Sequence, residues 1–183
     1  EWLASDLLGQ AEHDQLAQCI LISKNKNVLE KTKKELFKQL KKLPRLLIAK
    51  KSLTENGVLI YANSDKKILE ITNKIGPEHL ELNVKNYKSF AAKIKNAGSI
   101  CLGKYAVMAM TDYGAPGSNH VLPTNMTSKF SSGLNVSEFM KKISYITLSK
   151  KGIDKLGPSA ITLANYEGLQ GHAQSIIKRI RRK

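Results

Sequence analysis

Between Trp2 and His13 the apolar residues Leu3, Leu7, Leu8 and Ala11 recur at intervals of three and four, which predicts an amphipathic helix ending near Asp14. Residues 17–23 then carry Cys19, Ile20, Leu21 and Ile22 in a row, the pattern of a short strand buried on both faces. From Asn27 the positions Val28, Thr32, Leu36, Leu40 and Leu43 return to helical spacing, with Lys on the outer face and Pro44 as the stop. Residues 57–62 form a second apolar strand. Asn63 or Ser64 is placed to cap the next helix, whose Ile68, Leu69, Ile71 and Ile75 end at Gly76-Pro77. A third strand over 80–84, a helix through Tyr87, Phe90, Ala91 and Ile94 that ends at Gly98, and a fourth strand over 99–103 complete the alternation.

Alternating strands and helices predict an α/β fold, a largely parallel sheet with helices packed on it in the manner of an incomplete Rossmann-like half. Ligands of such sheets sit beyond the carboxyl ends of the strands. After Gly103 come a short helix and a loop over 112–128 rich in Gly, Pro, Ser, Asn and Thr, a length more often functional than idle. From Val136 the pattern reads as a short helix, a strand-like run over 144–149, and helices over 158–167 and from His172, parted by Gly168-Leu169-Gln170-Gly171. The chain thus divides into an α/β portion, 1–128, and an α-rich carboxyl-terminal tail segment, 129–183.

Composition narrows the class. With 183 residues, 42% hydrophobic and 25% charged, the chain can bury one substantial core, and its apolar runs are far too short to span a bilayer. We expect a soluble, cytoplasmic protein with no membrane partner. The chain opens Glu1-Trp2-Leu3 with no signal-like segment, and its first residues already lie in a helical pattern, so we expect it to be part of a longer protein. Cys19 and Cys101 stand alone in strand-like runs, as buried reduced thiols do. The net charge of +15 favours a polyanionic partner, and a basic nucleic-acid-binding module is one reading. Yet 26 of the 30 basic residues are Lys scattered along helices, and aromatics make up only 6%, whereas nucleic-acid modules cluster Arg and interleave stacking aromatics. A Lys-rich solvated surface is the simpler account, so nucleic acid is the less favoured partner.

The candidate chemistry lies with four histidines, each close in sequence to a carboxylate or carboxamide: Gln10 with His13, Glu78 with His79, Asp112 with His120, and Glu167 with His172. Histidine both titrates near neutral pH and ligates transition metals, so the repeated pairing points to one polar site. Gln10 and His13 lie three apart on the expected helix, hence on one face, where an amide oxygen and an imidazole can converge on a single ion. Glu78-His79 follows a helix stop and enters a strand, where a carboxylate can activate water while an imidazole relays protons. Each pair also has an ordinary reading, as a polar surface pair, a turn cap or an incidental loop histidine. There is no G-x-G, no P-loop, no H-E-x-x-H and no cysteine zinc frame, which removes the common dinucleotide, zincin and zinc-finger patterns. A metal-dependent hydrolase using Glu78 remains an alternative.

The segments Asp6-Leu7-Leu8-Gly9-Gln10-Ala11-Glu12-His13, Gly76-Pro77-Glu78-His79-Leu80, Asn119-His120-Val121-Leu122-Pro123-Thr124 and Glu167-Gly168-Leu169-Gln170-Gly171-His172-Ala173 resemble histidinol dehydrogenase, in that order. Residues 97–103 and 130–134 are similar to that family as well. The resemblance runs nearly end to end and covers the carboxyl-terminal part of the family's length. It implies a zinc enzyme of histidine biosynthesis that oxidises L-histidinol to L-histidine with two successive NAD molecules. On matching positions it implies Gln10, His13, Asp112 and His172 as zinc ligands that also meet substrate, Glu78 and His79 as the acid-base pair with His79 touching substrate, and His120 and Glu167 as substrate contacts. It further implies a homodimer with exchanged tails, His172 coming from the partner subunit. The cofactor-binding residues for NAD would lie upstream, so we expect the isolated 183 residues to bind zinc weakly and to lack turnover.

Overall fold

The computed structural model describes residues 1–114 and 119–180, so Ala115, Pro116, Gly117 and Ser118 of the expected loop, and the last three residues of the basic tail, lie outside it. The described chain forms two compact units, Glu1–Glu138 and Phe139–Lys183.

In the first unit, helix α1 (Trp2–Ala11) leads to strand β1 (Ile20–Ser23) and helix α2 (Lys26–Leu40), which opens with the Asn25 side chain accepting the Asn27 N–H. Helix α3 (Leu46–Glu55), which the periodicity reading had not assigned, then returns the chain to strand β2 (Val58–Tyr61). It forms because Ala49 and Ser52 present a narrow buried stripe to the helices beside it. The core here is Ala4, Leu8 and Ala11 of α1 with Cys19, Leu36, Leu40 and Ala49. Small residues let the helices approach closely, and the buried Ser52 is satisfied: its Oγ donates to the Ala17 carbonyl at 2.8 Å. The Cys19 thiol donates to the Leu7 carbonyl at 3.3 Å, and burial pushes its pKa up to about 11.

Helix α4 (Asp65–Ile75) begins at Ser64, whose hydroxyl accepts the Lys67 N–H, and stops at Gly76, whose φ of 60° is left-handed backbone that suits glycine. Its Asn73 clamps the loop before the last strand, accepting from Lys95 N–H at 2.7 Å and donating to the Lys93 carbonyl at 3.1 Å. Strand β3 (His79–Leu82), the short helix α5 (Tyr87–Ala91), strand β4 (Ser99–Leu102) and helix α6 (Met108–Tyr113) follow. Past Ala91 the Lys93 and Ile94 N–H groups turn to the Phe90 and Ala91 carbonyls, and Asn73 holds Lys93, Lys95 and Asn96 off the helical path.

Every pairing in the described residues is parallel, as the alternation predicted: β1 with β2, Ile20 facing Val58, and β3 with β4, His79 facing Ser99. These form two separate two-stranded ladders and not one layer. Each ladder is a strand–helix–strand crossover, the connection that parallel neighbours require.

In the second unit, helix α7 (Lys150–Tyr166) and helix α8 (Gln170–Ile180) pack as a hairpin. α7 starts eight residues before the expected position and runs through Pro158. The proline forfeits one backbone bond, but Gly157 before it lets α8 close in, its Cβ position lying only 2.4 Å from Ile180 Cδ1, so packing holds the turn. The strand expected over 144–149 does not form: Tyr145 and Ile146 are exposed, and no described strand of this unit offers them a ladder. The short helix expected from Val136 is a single 3-10 turn, Val136–Phe139. No described helix is long and apolar enough to cross a membrane.

Candidate functional site

Three elements of the first unit carry the candidate residues. α1 ends at Ala11, earlier than its apolar pattern implied, because no residue after it sustains the helical face. His13 therefore sits in the following turn, its N–H bonded to the Gln10 carbonyl at 3.3 Å. Arg45 donates to the His13 carbonyl at 3.4 Å and steadies the turn. Asp112 lies in the last turn of α6, with its side chain only 15% exposed and Oδ1 3.5 Å from His120 Nδ1. His13 and Asp112 line one cleft of about 330 Å³ with Gly9, Glu12, Met108 and Tyr113; Gln10 does not line it.

Glu78 and His79 occupy the start of β3. The Glu78 carbonyl accepts Ser99 N–H at 2.8 Å, so the backbone beneath the pair is fixed by the β4 ladder. Glu78 Oε1 lies 4.0 Å from His79 Nε2, too long for a hydrogen bond. His79 Nδ1 is buried and finds no hydrogen-bond partner among the described residues, an orphaned imidazole nitrogen. On the same strand face two residues later, Glu81 Oε1 accepts the Met108 N–H at the start of α6 at 2.8 Å, so His79 faces the side on which α6 and Asp112 lie.

Asp6 of α1 is the acidic neighbour that acts on the titration of Glu81. Burial raises the pKa of both, and for Glu81 the negative charge of Asp6 adds to it, against the lowering effect of the Met108 N–H. Cys101, facing Glu81 across the β3–β4 ladder, is likewise raised by burial and then by Glu81 and Asp112. This carboxyl cluster escaped the sequence reading. Its signal was a lone charge between two leucines in Leu80-Glu81-Leu82, a polar residue in a strand whose neighbours are buried.

The family model for histidinol dehydrogenase matches residues 1–180. The chain belongs to the histidinol dehydrogenase family. It is 70% identical over its whole length to the histidinol dehydrogenase of Pelagibacter ubique and 43% identical over 98% of its length to that of Zymomonas mobilis, spanning 42% of each. The crystal structure of histidinol dehydrogenase from Elizabethkingia anophelis is similar over 98% of this chain and 41% of that one, with a TM-score of 0.85 at 37% identity. The chain thus spans about two fifths of the length of these histidinol dehydrogenases.

The other two candidates belong to the second unit. Glu167 caps α7, and His172 lies in the first turn of α8, where its carbonyl accepts the Ser175 hydroxyl at 2.8 Å; both side chains are exposed. Among the described residues no three His, Cys, Asp or Glu side chains gather closely enough to hold a metal ion. The donors fit zinc in kind, with an imidazole and a mostly buried carboxylate at one cleft and a carboxamide one turn earlier, but the first unit alone supplies an incomplete shell.

Proposed function

We propose that this chain is the zinc-bearing portion of an NAD-linked histidinol dehydrogenase, a homodimeric enzyme with exchanged tails that converts L-histidinol to L-histidine. The observation that supports this most is the meeting of His13 and Asp112 at one cleft in a member of this family. Gln10, His13, Asp112 and, from a second copy, His172 would hold the zinc, leaving positions for the substrate's imidazole and amino nitrogens. Zinc, when bound, supplies Lewis-acid polarisation of the substrate's hydroxyl oxygen, and NAD accepts the hydride.

The protein's own share is proton handling and placement. His79 takes the hydroxyl proton of the alcohol during the first oxidation. Glu78 then removes a proton from the water that adds to the aldehyde carbon, and a second hydride loss leaves the carboxylate. The pair is suited to successive roles because the two side chains lie side by side, Glu78 Oε1 4.0 Å from His79 Nε2. His120, 3.5 Å from Asp112, and Glu167 contact the substrate and orient it.

The test is histidinol-dependent NADH formation by the full-length protein, together with zinc content per chain. We expect one zinc per chain, lost in His13→Ala, and loss of turnover in His79→Ala. A full-length protein that keeps its zinc when His13 is replaced, or that reduces no NAD with histidinol, would refute the assignment. The isolated 183 residues are expected to bind zinc weakly and show no turnover.

A further inference from the structure

The segment that carries His120 begins with Asn119, whose carboxamide has no part in the proposed chemistry. The His120 side chain is 68% exposed and meets Asp112 Oδ1 at 3.5 Å, so packing does little to hold the ring and its place depends on the backbone beneath it. Asn119 fixes that backbone with both ends of its side chain. Oδ1 accepts the Val121 N–H at 2.8 Å, an Asx turn with His120 as the central residue, and Nδ2 donates to the Leu134 carbonyl on the returning arm of the loop. The Leu134 N–H in turn reaches the Val121 carbonyl at 2.9 Å, so the two arms are joined twice beside His120. Gly133 leaves the carboxamide room: a Cβ there would stand 3.2 Å from Asn119 Nδ2 and from the Val121 carbonyl oxygen. The loop between the arms is seated on the strands that hold Glu78 and His79. The buried Pro123 packs at Gly98, ahead of β4, and the buried Ser128 at Gly76, ahead of β3, where added Cβ atoms would lie 3.0 Å from Pro123 Cδ and 2.9 Å from Ser128 Oγ. Its tight turn sets Asn125 and Met126 at φ of 50° and 66°, left-handed backbone that residues other than glycine keep only where the surroundings over-determine it.

We infer that Asn119 is a positioning residue for His120, its carboxamide fixing the imidazole within reach of Asp112 and of the substrate. Both ends of that carboxamide are engaged by backbone, so it acts through His120. The crossing demands a carboxamide, because a carboxylate has no proton for the Leu134 carbonyl and an alanine has neither end. That His120 orients the substrate rests on the function proposed above, whereas its placement by Asn119 stands on the hydrogen bonds.

The test uses Asn119→Ala, His120→Ala and the double variant of the full-length protein, read by kcat and KM for histidinol and by the NMR resonance of the His120 imidazole, assigned through its loss in His120→Ala. We expect each single variant to lower kcat/KM about tenfold or more, chiefly through KM, since misplacing a substrate contact costs on that scale. The double variant should stay within about twofold of His120→Ala, because a residue that acts through another adds nothing once that one is gone. Asn119→Asp, which keeps the Val121 bond and loses the Leu134 one, should fall between the parent and Asn119→Ala, and it replaces the latter if that variant does not fold. Losses that add in the double variant, or an Asn119→Ala protein with parental kcat/KM while His120→Ala is impaired, overturn the inference. Should the parent reduce no NAD with histidinol, or His120→Ala match the parent, the substrate reading fails and the resonance decides alone: displaced in Asn119→Ala, it upholds the positioning, and unmoved, it overturns it.

Discussion

The placement of Glu78 depends on a hydrogen atom at Gly98. A Cβ there would stand 2.7 Å from the Glu78 carbonyl oxygen and 3.0 and 3.2 Å from Pro123 Cδ and Cγ. Ordinary contact begins near 3.4 Å, so Gly98→Ala demands about 0.7 Å of relief at the carbonyl. That carbonyl is not free to yield, because it accepts Ser99 N–H at 2.8 Å, and Gly98 N–H is itself bonded to the Pro77 carbonyl at 2.9 Å. Overpacking of this kind costs about 1–3 kcal/mol, offset by about 0.4–1 kcal/mol from a less flexible unfolded chain. With mid values of about 2 and about 0.7 kcal/mol the net loss is about 1.3 kcal/mol, which at a urea m-value of about 2 kcal/mol/M lowers the unfolding midpoint by roughly 0.65 M. Urea unfolding followed by circular dichroism measures it. Gly9→Ala is the control: within α1, with only Met108 Cε at 4.0 Å, it should gain about 0.5–1 kcal/mol. A Gly98→Ala protein with the parent's midpoint and m-value would show that the β3–β4 pairing yields freely, and the argument that it fixes Glu78 would fall.

Leu8→Ala, in the α1–α2–α3 core at 3% exposure, should cost about 2–5 kcal/mol by thermal or urea unfolding; a loss below 1 kcal/mol would mean the core collapses into the gap. Ser64→Ala removes the hydroxyl that accepts Lys67 N–H and should cost about 1 kcal/mol, with Ser64→Thr nearly neutral. Stability should also fall at high pH because of Cys19. Its folded pKa of about 11 lies above the ordinary 9.0, so the neutral thiol's contribution is whole below pH 9 and is lost as pH rises through 11, by at most about 2–3 kcal/mol. Cys19→Ala should flatten that slope, and an equal slope in both proteins would place the titration elsewhere.

Much of this protein is legible along the chain. β1, α2, β2, α4, β3 and β4 are set by local period and punctuation, such as the Ser64 cap and the Gly76 stop, which act between neighbours in sequence and so need no knowledge of the fold. The types of residue able to bind a metal or move protons were readable for the same reason. Other features were not. The run 144–149 has the composition of a strand, but a strand exists only if another offers it a hydrogen-bonding edge, and none described in its unit does. Pro158 reads as a helix start, yet α7 continues through it because Gly157 packs on Ile176 and Ile180 of α8. The approach of Asp112 to His13, and of Glu81 to Met108, joins residues far apart in sequence. Such meetings follow from how elements stack to bury their apolar faces, a global balance that no window of neighbouring residues contains.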